Sequence, residues 1–121
     1  MQYLLDTNIL LKEIASQGSL TGTIHEEIAA ISTITVMEVL ALPGLSANEE
    51  KQIRAILHRC LIFPVDFSVA ELAGQLQRTR KKKMTTDLLI AATAIVNNCV
   101  LISRNIRDFK GIPNLQVRNE I

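Results

Sequence analysis

The sequence predicts an α/β fold with three layers, α/β/α, around a central parallel sheet of four to five strands. Short apolar runs alternate with longer segments that carry apolar residues at helical spacing, and turn residues separate them. Parallel neighbours need crossover connections, so this alternation predicts helices on both faces of the sheet. A chain of 121 residues, 48% of them hydrophobic, is expected to form one domain, residues 1–121.

The first half of the chain is predicted to contain two strands and three helices. Two short apolar runs, each ended by small polar residues, are typical of buried strands. Gly18 and the pair Pro43-Gly44 end two helices, and the capping-box pair Ser46 and Glu49 opens a third. The predicted elements are a strand at 3–5, a helix at about 8–17, a polar loop at 19–23, a strand at 28–31, and helices at about 35–42 and 47–59.

The second half is predicted to contain three strands and two helices. Pro64 ends a strand because proline cannot donate to a central ladder. Ser68 and Glu71 match a second capping box, and a later helix is apolar nearly all round, which indicates burial on more than one side. The predicted elements are a strand at 61–63, a helix from about 69 to the cations at 78–83, a helix at 87–96, a strand at 100–102, a polar loop at 103–111 and a strand at 115–117.

Composition argues against several function classes. Thirteen basic and twelve acidic residues leave a formal charge of +1, so no global field favours nucleic acid, an acidic partner or a membrane. The 3% aromatic content argues against a base-stacking platform. Cys60 and Cys99 lack the spacing of a zinc or redox site and are expected to be ordinary buried thiols. The N-terminal stretch resembles neither a signal peptide nor a membrane span, so a cytoplasmic location is expected.

Three acidic residues stand alone in otherwise uncharged stretches. They are Asp6 before Lys12, Glu38 between Ile28 and Asn48, and Asp87 between Met84 and Ser103. Each is predicted to lie at or just past the carboxyl end of a strand, or early in the helix that follows that strand, at positions that face one edge of a parallel sheet. Converging carboxylates repel one another unless a cation lies between them, and an all-oxygen ligand set suits Mg²⁺ or Mn²⁺.

Each acid also has a purely structural explanation. Asp6 could cap the first helix, and Asp87 could interact with the positive end of a helix dipole. Glu38 could lie on a solvent-exposed stripe, although Thr35 and Glu38 would make that stripe very narrow.

Four segments of the sequence carry a family resemblance. They are Tyr-Leu-Leu-Asp-Thr-Asn at 3–8, Ser-Thr-Ile-Thr-Val-Met-Glu-Val at 32–39, Thr-Asp-Leu-Leu-Ile-Ala-Ala-Thr-Ala at 86–94 and Leu-Ile-Ser-Arg-Asn-Ile-Arg-Asp-Phe at 101–109. In this order they resemble the successive motifs of PIN-domain nucleases, particularly VapC-like toxins. The resemblance implies a five-stranded parallel sheet and a metal-dependent endoribonuclease. It also implies an antitoxin that blocks the site, and a homodimer.

The resemblance assigns roles to individual residues. Asp6, Glu38 and Asp87 correspond to the three core acids, which are expected to hold Mg²⁺ or Mn²⁺ and to position the attacking water. Thr7 and Asn8 are expected to support Asp6. The family often has an acid at the position of Asn105 and another at that of Asp108, so Asp108 is the expected fourth carboxylate and Asn105 a supporting residue. A second metal ion is left open.

Basic residues near these acids are candidates for contacts with RNA phosphates. They are Lys82 and Lys83, in the run that leads to Asp87, and Arg104 and Arg107, beside Asp108. A solvated helix end is the simpler explanation of the run at 78–83.

Two other functions compete with a nuclease. An aspartyl phosphatase of the haloacid-dehalogenase type has a second acid two residues after the first, where this sequence has Asn8. The other alternative is a catalytically silent PIN-like binding module that acts through protein contacts.

Overall fold

A computed structural model describes residues 2–17, 29–80 and 84–120 of the chain. The strands are β1 (Gln2–Leu5), β2 (Ala29–Ser32), β3 (Leu61–Phe63), β4 (Cys99–Ile102) and β5 (Val117–Arg118). The helices are α1 (Thr7–Gln17), α2 (Thr33–Leu40), α3 (Ala47–Leu57), α4 (Phe67–Thr79), α5 (Thr85–Val96) and α6 (Ile106–Phe109).

The five strands form one sheet in the order β3-β2-β1-β4-β5, and every pair of neighbours is parallel. Successive residues of β1 face opposite sides of the sheet, as strand geometry requires. Leu5 packs with Leu10 and Ile53 in one apolar cluster, while Leu4 packs with Leu88 in another. Helices therefore cover both faces, which confirms the predicted three-layer α/β/α fold.

Helix α5 is buried along most of its length, as predicted, with residues 90–94 all buried. It follows α4 directly, so Asp87 does not follow a strand, contrary to the expectation for all three acids. Because α5 leads into the amino end of β4, it runs opposite to the strands and begins at the carboxyl edge of the sheet. This direction brings Asp87 to that edge.

Three helices begin two residues before the predicted position, among them α5, which begins at Thr85 instead of 87, and the start of α3 is confirmed. The side chain of Asp66 accepts a hydrogen bond from the backbone N–H of Val69 (3.0 Å), so Asp66 and not Ser68 caps α4. Helix α2 begins at Thr33, two residues early, because the Ser32 hydroxyl accepts from the backbone N–H of Ile34 (3.0 Å). The predicted capping box that opens α3 is present in full.

The C-terminal segment differs from the prediction in two places. The predicted loop at 103–111 contains the short helix α6, and the last strand lies at Val117–Arg118 instead of 115–117. Gly18, the loop at 19–23 and residues 81–83 lie outside the described residues. None of the described helices combines the length and the apolar character that crossing a membrane requires.

Candidate active site

A cavity of about 110 Å³ opens at the carboxyl edge of the sheet. Its lining comes from segments that are distant in sequence: the start of α1, the middle of α2, the first turns of α5, and α6 with the residue before it. The lining residues are Asp6, Thr7, Asn8, Glu38, Asp87, Ile90, Asn105, Asp108 and Phe109. The fold therefore brings together all four predicted acids and all three predicted supporting residues.

Asp6 caps a helix and also lines the cavity. Its backbone N–H donates to the carbonyl of Ile102 (3.1 Å), which holds the residue beside β4. Its Oδ1 accepts from the backbone N–H of Ile9 (2.9 Å), and only 6% of the residue is exposed. The capping explanation is thus correct. It does not exclude a second role for Asp6 as a metal ligand, because an ionised carboxylate offers about four acceptor sites and the cap occupies one.

Glu38 is held from α1. The Thr7 hydroxyl donates to Glu38 Oε1 (2.5 Å), and the same Thr7 oxygen lies 3.1 Å from Thr35 Oγ1. Thr35 is fully buried, whereas a solvent-exposed stripe on α2 would have included it. Glu38 is itself half-buried and faces the cavity, so the solvent-stripe explanation is wrong for this helix.

Asp87 lies in the first turn of α5, where unpaired backbone N–H groups and the helix dipole favour a negative charge. Asp108 lies in α6, which follows β4 along the chain, whereas α5 precedes it. Asn105 precedes α6, and its backbone N–H donates to the buried hydroxyl of Ser103 (3.0 Å). The turn at Ser103 thus fixes where the chain leaves β4 and where both Asn105 and Asp108 begin to face the cavity.

The donor set of the cavity suits a hard divalent cation. Among the described residues, its polar lining consists of carboxylates, side-chain amides and a hydroxyl, so every candidate ligand atom that they offer is oxygen. Within 2–17, 29–80 and 84–120, however, no three His, Cys, Asp or Glu side chains are grouped so that they could hold an ion together. Mg²⁺ usually keeps several waters and takes one or two carboxylates directly. The residues therefore fit a divalent ion that would take one or two carboxylates directly and keep water at its other positions.

Two of the four predicted phosphate contacts stand apart from this lining. Arg104 and Arg107 are exposed, and neither is among the described residues that line the cavity. Lys82 and Lys83 lie outside the described residues. These four assignments remain predictions.

Three residues at or behind the cavity were missed in the sequence. Ile90 and Phe109 form its apolar part. Ile90 lies one turn after Asp87 on the same helix, a spacing that could have revealed it. The sequence carries no comparable signal for Thr35. A threonine among apolar helix residues does not reveal which other helix its hydroxyl will contact.

The fold agrees with that of known proteins. The PIN domain family model matches residues 3–115, and the chain belongs to this family. It is 32% identical over 133 residues to Ribonuclease VapC2 of Rickettsia felis, an alignment that covers 98% of each protein.

Solved structures show the same similarity. A toxin-antitoxin complex from Klebsiella pneumoniae contains a chain that superposes with a TM-score of 0.74 at 31% identity, covering 99% of this chain and 100% of that one. DNA-bound VapBC from Salmonella typhimurium superposes with a TM-score of 0.79 over 98% and 97% of the two chains. Its identity is 23%, so that similarity concerns the fold alone.

Proposed function

We propose that this chain is an endoribonuclease that hydrolyses RNA phosphodiester bonds with Mg²⁺ or Mn²⁺, and that it is the toxin of a type II toxin-antitoxin pair. The observation that carries this proposal is the convergence of four acids from four separate segments on one cavity. The similarity to a protein named Ribonuclease VapC2, over nearly its full length, supports the reaction. The similarity to a chain of a toxin-antitoxin complex supports the partner.

The acids have the central role. Asp6, Glu38, Asp87 and Asp108 would hold the cation, one or two of them directly and the others through its water shell. When bound, such a cation lowers the pKa of a coordinated water and neutralises charge that develops on the phosphate. A carboxylate that is not in contact with the cation accepts a hydrogen bond from water in the cavity and so orients it for attack.

The other lining residues would position the RNA. Asn8 and Asn105 carry amide N–H groups that can donate to phosphate oxygens, and Thr7 orients Glu38. Ile90 and Phe109 limit access of bulk water from the apolar side. Arg104, Arg107, Lys82 and Lys83 would contact neighbouring phosphates, which offsets the repulsion between RNA and the acids without reading bases.

The partners follow from the same assignment. A separate antitoxin chain would bind over the cavity and prevent RNA from entering, and the toxin itself would be a homodimer. An RNA substrate implies action in the cytoplasm. Size-exclusion chromatography with light scattering on the isolated chain tests the dimer, which a mass of one chain, 13.4 kDa, would exclude.

Metal dependence is the direct test of the activity. The purified chain, free of any antitoxin, is incubated with a mixed RNA pool in Mg²⁺, Mn²⁺ or EDTA. We expect cleavage with either metal, none with EDTA, and recovery when Mg²⁺ is added in excess. Cleavage that EDTA does not affect would reject the metal-assisted reaction. No cleavage under any condition would favour the catalytically silent binding module.

A further inference from the structure

Three side chains form a continuous hydrogen-bonded chain between α1 and α2. Thr35 Oγ1 lies 3.1 Å from Thr7 Oγ1, and Thr7 Oγ1 lies 2.5 Å from Glu38 Oε1. Thr7 and Glu38 line the cavity, while Thr35 is fully buried and lies behind them. The chain therefore joins the protein interior to one of the four acids.

The direction of the protons in this chain follows from the chemistry of the groups. An ionised Glu38 carboxylate can only accept hydrogen bonds, so the single hydroxyl proton of Thr7 lies toward Glu38. Thr7 then has no proton left for Thr35. The contact between the two hydroxyls must be a hydrogen bond that Thr35 donates to the oxygen of Thr7.

A second buried threonine shows the usual alternative. Thr93 is also fully buried in a helix, and its hydroxyl donates to the carbonyl of Leu89 in the preceding turn (2.7 Å). This bond within one helix is the common arrangement for threonine. The Thr35 hydroxyl instead contacts a residue 28 positions away on another helix. The difference indicates a role for Thr35 beyond the satisfaction of its own hydroxyl.

We propose that Thr35 is a positioning residue for the reaction proposed above: it orders the Thr7 proton onto Glu38 and thereby holds the Glu38 carboxylate at the cavity. The proposal rests on the proposed function. Glu38 has several rotatable bonds and is only half-buried, so without a directed donor its carboxylate can leave the cavity. Hydrogen bonds in series also polarise one another, which strengthens the bond to the carboxylate.

The test compares three variants. Thr35→Val keeps the shape and removes the hydroxyl, Thr35→Ser keeps the hydroxyl, and Thr93→Val removes a buried hydroxyl that serves only its own helix. For each, we measure kcat and KM for RNA, the Mn²⁺ concentration for half-maximal cleavage, and Mn²⁺ affinity by calorimetry. Residues that orient metal ligands typically contribute about 10- to 100-fold to affinity or activity.

For Thr35→Val we expect kcat to fall about 10-fold and Mn²⁺ affinity to weaken to a similar degree, while KM for RNA stays the same. Thr35→Ser should recover most of both losses, and Thr93→Val should match the wild type. A Thr35→Val variant with unchanged kcat and Mn²⁺ affinity would overturn the proposal. So would a Thr35→Ser variant as impaired as Thr35→Val, because that result would assign the effect to packing.

A thermodynamic cycle separates this proposal from the proposed function. If the wild type cleaves no RNA, the proposed function fails. The coupling between Thr35 and Glu38 can still be measured from the free energies of unfolding in urea of Thr35→Val, Glu38→Gln and the double variant. We expect the effects of the two substitutions to be non-additive, because both break the same chain of hydrogen bonds. Additive effects would reject the positioning role, whatever the activity of the protein.

Discussion

Two cavities at opposite ends of β4 and α5 differ in charge more than in size. The one at the carboxyl edge has about 110 Å³ and contains four carboxylates. The one at the amino edge has about 160 Å³ and is lined by Ala94, Ile95, Asn98, Cys99, Asn114 and Gln116. The described lining of this larger cavity is thus neutral, with amides and a thiol as its polar groups.

Local structure explains much of the amide-lined cavity. Asn98 and Asn114 have φ of 54° and 67°, the left-handed region that asparagine tolerates better than most residues, so turn geometry accounts for both. Capping accounts for Asp6 and the helix dipole favours Asp87, but neither brings Glu38 and Asp108 to the same cavity, where like charges repel one another. The gathered charge, and not the volume, therefore sets the acid-lined cavity apart from the amide-lined one.

The largest expected difference between the two cavities is in RNA cleavage. Asp87→Asn should reduce the rate by more than about 100-fold, because it removes a charge from the proposed cation site. Gln116→Ala, a truncation in the amide-lined cavity, should stay within about twofold of the wild type. Cleavage assays on the mixed RNA pool, with circular dichroism to verify folding, measure both. Similar losses in the two variants would show that the cavities do not differ in function.

A smaller expected effect separates the capping role of Asp6 from its proposed role in cleavage. Asn can accept the hydrogen bond from the Ile9 N–H, so Asp6→Asn should lose cleavage but little stability, whereas Asp6→Ala should also lose about 1 kcal/mol of unfolding free energy. Asp66 is the matched control, since it caps α4 in the same way. Asp66→Ala should lose about as much unfolding free energy as Asp6→Ala, measured by urea denaturation, and should still cleave RNA. An active Asp6→Asn variant would mean that Asp6 is only a cap.

The smallest expected effect concerns the thiol of the amide-lined cavity. Burial raises the pKa of Cys99 from 9.0 to about 11, so near pH 8 it should react with iodoacetamide about 100-fold more slowly than the unfolded chain. Because the folded-state pKa is the higher one, the stability from the protonated thiol is complete below pH 9 and is lost as the pH rises toward 11.

A Cys60→Ala background isolates the reaction of Cys99, and Cys99→Ala should remove its part of the pH dependence. Rapid alkylation of Cys99 in the folded protein would show that this cavity is open and its thiol reactive, and would weaken the contrast with the acid-lined cavity.

The fold was predictable because its signals are local, and the errors show where local signals end. The first four strands and the capping box at Ser46 depend on a few adjacent residues, and they lie within a residue of the prediction, whereas the last strand was placed two residues too early. The start of α4 was wrong because Asp66 and Ser68 are both good caps, and packing of the helix decides between them. Helix α6 was missed because four residues carry too little periodicity to indicate a helix.

The sequence by itself determined the alternation of strands and helices and the placement of isolated acids near their ends, because both depend on neighbours along the chain. The tertiary structure decided which residues meet. β1 and β2 pair, so the helices that follow them begin side by side and Thr35 reaches Thr7. Asp87 arrives at the same edge only because α5 runs opposite to β4. Such contacts join residues about 30 or more positions apart, and the spacing of residues along the chain does not encode them.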